Sequence, residues 1–338
     1  MHLLILGAAG MIGRKLAERV AATGAIGGVA VDRMTLADVV APDVATGFGG
    51  TRTVVRADLT EPGAAEALVA DRPDVVVHLA AIVSADAEAN FDTGYRVNLD
   101  GTRALFEAIR HAGGPAPRVV YASSLAVFGP PFPDRIPDDF HLTPRTSYGV
   151  QKAMAELLLD DYSRKGFLDG IGIRFPTICI RPGRPNKAAS GFFSGILREP
   201  LNGQEAVLPV PRDTRHWFAS PRAAVGFIER AATMSTAALG HRRNLSMPGV
   251  SATVGDQIDA LRRVAGDEAV ALIREVPDPT IQTIISGWAR NFEAARARDL
   301  RFEAEGSFDE IIRIYIEDEL GGGRSTPIAE RGSVRGTA

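Results

Sequence analysis

The sequence predicts an α/β protein built on a doubly wound parallel sheet, with a smaller C-terminal substrate-binding lobe. Three observations predict it. The chain opens on an apolar run, residues 3–6, that ends in Gly7-x-x-Gly10-x-x-Gly13 and passes into an amphipathic stretch. Strand-like runs then alternate with helical ones about six times, with short connections. The residues able to do chemistry fall just after the apolar runs, where open α/β sheets bind ligands.

Bulk properties fit that class. The chain of 338 residues is long enough for one large domain or two moderate ones. Its hydrophobic fraction of 45% and charged fraction of 23% are those of an ordinary soluble protein. Net charge is −3 with both signs interspersed, so nucleic acid is not an expected partner. Cys179 has no second cysteine to pair with and no zinc-ligand spacing around it. No metal is therefore expected, and a reducing cytoplasm fits. The apolar start lacks the basic n-region of a secretory signal, and no apolar run is long enough to cross a bilayer.

The first element reads as buried strand, glycine turn and helix. Backbone N–H groups of the turn (Gly7, Gly10, Met11, Ile12, Gly13) and the helix N-terminus are placed to meet a pyrophosphate. The second strand is expected over Gly28-Val-Ala-Val31, ending at Asp32, about 20 residues after the turn. A carboxylate there accepts hydrogen bonds from an adenosine ribose and repels a 2′-phosphate, which favours NAD over NADP. Asp58-Leu59 follows the third strand, and Asp58 is either an adenine contact or a helix cap.

Asp74-Val-Val-Val-His-Leu-Ala-Ala81 is a fully buried strand. Small residues at its end (Ala80, Ala81) let a cofactor approach the backbone beside Leu79, and His78 reads as a core histidine. Ser84 follows and is a candidate substrate contact. Asn98, awkward inside a helical stretch, reads as a structural bond to a backbone carbonyl near the site. Residues 118–124 form the next strand, residues 129–144 a Pro- and Asp-rich loop, and residues 170–175 a further strand followed by Pro176-Thr177.

The chemistry concentrates in Tyr148-Gly-Val-Gln-Lys152, with Ser124 upstream. Residues four apart share a helix face. A free tyrosine, with a pKa of about 10, is a poor base at neutral pH, but an adjacent ammonium favours its phenolate. With a serine hydroxyl to hold a substrate alcohol, the trio has what is needed to take a proton while a hydride leaves.

Together these motifs resemble the extended short-chain dehydrogenase/reductase (NAD-dependent epimerase/dehydratase) family, over roughly the first 180 residues. The matching positions are Gly7, Gly10, Gly13, Asp32, Asp58-Leu59, His78-Leu-Ala-Ala81, Asn98, Ser123-Ser124, Gly129, Tyr148, Lys152 and Arg174-x-Pro-Thr177. The resemblance implies a Rossmann-type fold, bound NAD, Tyr148 as acid/base with Ser124, and Lys152 on the nicotinamide ribose. It also implies Pro176 and Thr177 beside the nicotinamide and a homodimer through helices that include the Tyr148 helix. Sugar-nucleotide epimerases of the family usually carry an acidic pair where this chain has Pro221-Arg222. Residues 181–200 and 207–222 instead resemble a branch that oxidises the C2 hydroxyl of a four-carbon sugar acid. An arginine fork suits such a carboxylate; Asn186, Lys187 and Arg215 are the favoured contacts, and His216 and Trp217 are pocket wall or core. The rival readings are a nucleotide-sugar epimerase or dehydratase and a non-catalytic NAD-sensing regulator.

Domain boundaries are expected at residues 1–180 for the NAD-binding part, with about 215–250 returning to it, and 181–320 for the substrate-binding lobe. An amphipathic helix is expected over residues 254–264 and another helical stretch over 281–297, with a mobile tail over 321–338.

Overall fold

The computed structural model describes residues 1–43, 46–183 and 189–321. These divide into two compact units. The first comprises Met1–Pro176, Pro221–Pro248 and Asn291–Glu303; the second comprises Thr177–Ser220, Gly249–Arg290 and the described residues from Ala304 onward. Asn186 and Lys187, and the tail beyond Gly321, lie outside the described residues.

Seven strands form the sheet of the first unit: β1 (His2–Leu6), β2 (Arg33–Asp38), β3 (Thr51–Arg56), β4 (Val75–His78), β5 (Arg118–Ser124), β6 (Asp169–Phe175) and β7 (Asn244–Ser246). Their spatial order is β7-β6-β5-β4-β1-β2-β3. Every pairing is parallel. The order reverses between β1 and β4, where an open doubly wound sheet leaves a crevice for a ligand. Parallel strands buried on both faces explain the near-continuous apolar runs. On one face Leu4, Leu6, Val76, Val119 and Tyr121 pack with Leu105, Phe106 and Leu159.

One strand differs from expectation. Residues 28–31 do not enter the sheet; Ala25–Ile26 and Val29–Ala30 form a small antiparallel hairpin. Gly27 and Gly28 both hold positive φ, as a two-residue hairpin turn requires. The sheet strand is β2, whose centre carries a polar Thr35. Burial of Thr35 is tolerated because His2 Nε2 lies 2.9 Å from its hydroxyl.

Helix α1 (Met11–Thr23) follows the glycine turn, and α2 (Ala64–Val69) follows β3. After β4 come α3 (Ser84–Ala89) and α4 (Phe91–Gly94). A wide π-type turn over Tyr95–Asp100 then feeds α5 (Gly101–Ala112). Helix α6 (Ser147–Arg164) starts where Thr146 Oγ1 accepts the Gly149 N–H at 3.1 Å, a side-chain cap.

The second unit has its own core, in which Phe193, Leu197, Phe218, Ile258, Leu261 and Ile312 are buried. His216 stacks on Phe193 at 5.2 Å, and Trp217 is buried, so both are core. The helix over Val254–Ala265 forms behind a reciprocal Thr253/Asp256 cap. The helical stretch expected over 281–297 is broken: Pro279–Ser286 ends at Gly287, and Ala294 takes a left-handed conformation before Ala295–Asp299. No described helix is long and apolar enough to cross a membrane.

Candidate active site

The glycine turn is shaped by close approach. A Cβ at Gly7, which has φ +83°, would sit 2.7 Å from the Ala80 backbone nitrogen. One at Gly13 would sit 2.3 Å from Gly7 O. Gly10 is exposed and precedes α1 without a side-chain cap, and the first turn of α1 carries no acid. An unblocked helix N-terminus beside bare backbone is a cradle for a pyrophosphate. Met11 and Ile12 form the first turn of α1, partly exposed, and Leu79, Ala80 and Ala81 lie partly exposed just past β4.

The carboxylate beside the glycine turn is that of Asp38. Asp32 stands at the amino end of β2, where its exposed carboxylate takes the Met1 ammonium at 2.6 Å, so it is at the wrong edge of the sheet. Asp38 ends β2, one strand from the glycine turn. Its Oδ2 accepts the Ala9 N–H at 2.9 Å and its Oδ1 the Val39 N–H at 2.7 Å. The hairpin had consumed the expected spacing; the sequence signal was an acid closing the next apolar segment. Asp58 Oδ1 accepts the Thr60 N–H at 2.9 Å, which makes it a turn cap before α2, and Leu59 packs near Gly101.

Tyr148 and Lys152 sit on α6, and Ser124 ends β5. Gly149 permits this: a Cβ there would lie 2.1 Å from Ala126 O, so only glycine lets the first turn of α6 lie against the segment after Ser124. Ser124 Oγ accepts the Ala126 N–H at 3.1 Å, which fixes its hydroxyl at the carboxyl end of β5. Tyr148 is half-buried. Lys152 is buried, donates to Ala122 O at 2.8 Å, and holds its Nζ 5.7 Å from the Tyr148 ring and 4.8 Å from the Tyr121 ring. Burial pushes the Lys152 ammonium down to about 7, against the raising influence of Glu156.

Asn98 sits in the π-type turn, a feature frequent at functional sites. Its Oδ1 accepts the Ile82 N–H at 2.9 Å; its Nδ2 donates to Ile82 O at 3.1 Å and to Gln151 Oε1 at 2.8 Å. It thus ties the segment after β4 to α6. Thr102 donates to Asn98 O, so His78 Nε2, 2.9 Å from Thr102 Oγ1, carries the hydrogen. His78 is a core residue, and burial pushes it down to about 3.

The remaining expected contacts are Ser84, Pro176, Thr177 and Arg215. Ser84 opens α3, partly exposed. Pro176 ends a segment of the first unit. Thr177 belongs to the second, where its hydroxyl lies 2.6 Å from His216 Nε2. Arg215, also in the second unit, donates to Ser251 O at 3.2 Å and lies 3.9 Å from Asp256. Gln151, Glu156 and Arg174 were not singled out from sequence as site residues; the hint was three polar positions on the inner side of one helix and strand.

This fold and site define a dinucleotide-dependent enzyme that moves a proton to or from an alcohol. The chain belongs to the NAD dependent epimerase/dehydratase family, which it matches over residues 3–243. It is 46% identical to a D-erythronate dehydrogenase of Cupriavidus necator, over 94% of this chain and 98% of that one. It is 38% identical to a D-erythronate dehydrogenase of Haemophilus influenzae, over 95% of this chain and 100% of that one. A crystal structure described as a nucleoside-diphosphate-sugar epimerase from Agrobacterium tumefaciens superposes with a TM-score of 0.94 at 63% identity, covering 96% of this chain and 95% of that one.

Proposed function

We propose that the protein oxidises the C2 hydroxyl of D-erythronate to the 2-oxo acid, with NAD. The observation that carries this reading is likeness over nearly the whole chain to two D-erythronate dehydrogenases. The intact Tyr148, Lys152 and Ser124 supply the chemistry. Gly7, Gly10, Gly13, Asp38 and Lys152 are the residues that would hold NAD, which when bound supplies the hydride acceptor. Ser124 holds the substrate hydroxyl by a hydrogen bond, and Tyr148 as phenolate takes its proton. The Lys152 ammonium stabilises that phenolate. Burial of Lys152 strengthens the interaction by removing competing water.

The substrate carboxylate falls to polar donors of residues 181–215; we assign it to Asn186, Lys187 and Arg215, whose donor groups suit a carboxylate. Lone, buried Cys179, its thiol pushed up to about 12 by burial, supports work in a reducing cytoplasm. The exposed apolar side chains Met154 and Leu157 on α6 support a homodimer through that helix.

The likeness to a structure described as a sugar-nucleotide epimerase favours a second reading. Purified protein decides between them. NADH accumulating with D-erythronate, and not with UDP-glucose, sustains the dehydrogenase. Sugar-nucleotide interconversion without net NADH replaces it with the epimerase.

A further inference from the structure

A buried ion pair stands one turn beyond Lys152. Glu156 is 1% exposed. Its Oε1 accepts from Ser123 Oγ at 2.5 Å and from Arg174 Nε at 2.9 Å, and its Oε2 accepts from Arg174 Nη2 at 2.7 Å. Arg174 lies on β6, its guanidinium 4.9 Å from the Phe128 ring. Ser123 is the residue before Ser124. One carboxylate on the catalytic helix therefore joins the carboxyl ends of β5 and β6.

We propose that Glu156 is a positioning residue for the catalytic pair: clamped by Ser123 and Arg174, it fixes Lys152 against β5 and serves as the counter-charge that keeps its ammonium protonated. The clamp acts through Lys152 and touches no substrate. Two observations and one general argument support it. Lys152 donates to Ala122 O, next to the clamped Ser123, so helix and strand are held at two adjacent points. A buried pair is poor evidence for stability alone, since apolar residues often replace such pairs without loss. And among the described residues the groups that face Lys152 give it no other anion at neutral pH: burial keeps Tyr121 from β5 and His78 from β4 neutral, and Tyr148 is the partner it must serve. Glu156 is the influence that raises the ammonium against burial.

The proposal rests on the reading of Tyr148 and Lys152 as the catalytic pair, so its test has a readout independent of turnover. The chain has four lysines, at 15, 152, 165 and 187. Carbon-13 labelling of lysine and comparison with Lys152→Met therefore identify the Lys152 Cε resonance. In Glu156→Gln its titration midpoint should fall by about one pH unit, and the alkaline limb of kcat/KM for D-erythronate should fall with it. Ser123→Ala, which loses a hydrogen bond and keeps the charge, should leave the midpoint in place. If Glu156→Gln fails to fold because Arg174 is left unpaired, Glu156→Gln/Arg174→Gln removes both charges and should show a smaller fall, because the cation that opposes the carboxylate goes with it. An unmoved Lys152 midpoint, with turnover merely reduced at every pH, overturns the proposal. Absence of NADH from D-erythronate with the unaltered protein would instead overturn the assigned substrate, and the lysine titration would still decide the role of Glu156.

Discussion

At the scale of single residues the chemistry turns on where charge is held. Tyr148→Phe removes the proposed proton acceptor and keeps the ring, so kcat should fall at least about a hundredfold while the dissociation constant for NAD, read by fluorescence titration, stays within about twofold. The two aspartates of β2 make opposite predictions. Asp38 is pinned by the Ala9 and Val39 N–H groups beside the glycine turn. Asp38→Asn should therefore raise KM for NAD roughly tenfold and improve use of NADP, since a fixed carboxylate repels a 2′-phosphate. Asp32→Asn, altered at the opposite edge of the sheet, should leave both constants unchanged. Steady-state kinetics with each cofactor checks the pair, and an Asp32 effect as large as that of Asp38 would restore the original assignment.

At the scale of elements, two contacts decide how α6 meets the sheet. One is the absence of a side chain at Gly149, which lets the helix start lie on the Ala126 carbonyl. Gly149→Ala forces a Cβ to within 2.1 Å of that oxygen. The helix must shift, at a cost of about 1–3 kcal/mol. Because Ser124 and Tyr148 lie on the two sides of that contact, kcat should drop more than thermal stability alone would explain; chemical denaturation and kinetics on one preparation check this. The other contact is Asn98 to Gln151, made possible because a π-type turn rather than an ideal helix presents the amide. An Asn in a helical stretch could be flagged from sequence, and its bond to a backbone carbonyl is present, at Ile82. Its partner Gln151 could not be flagged, because nothing local marks one polar residue of a helix as facing another element.

At the scale of the molecule, each unit buries a histidine that must stay neutral. Burial pushes both His78 and His216 down to about 3. The unfolded chain binds protons at both near pH 6.5 and the folded one does not. Stability contributed by neutral histidine is thus present above about pH 6.5 and lost as pH falls toward 3. The loss grows by about 1.4 kcal/mol per pH unit for each histidine. Asp160, pushed up to about 6 chiefly by burial, works the other way and offsets part of the loss below that pH. Denaturant midpoints should therefore fall between pH 7 and 5, and His216→Gln should show a shallower fall. An equal slope in that variant would show that His216 is not kept neutral by the fold.

By itself the sequence determined the fold class, the glycine turn and the family, and it marked the proposed trio, because each depends largely on short-range spacing: apolar runs, three glycines, and a tyrosine and lysine one helical turn apart. It could not place Asp32 and Asp38, since a six-residue hairpin and a true sheet strand look alike until the sheet chooses between them. It could not reveal the Ser123–Glu156–Arg174 clamp, whose members are 33 and 18 residues apart and meet only when β5, β6 and α6 pack. Tertiary structure decided these points because parallel pairing selects which segment is buried on both faces, and burial then decides which charges must find partners.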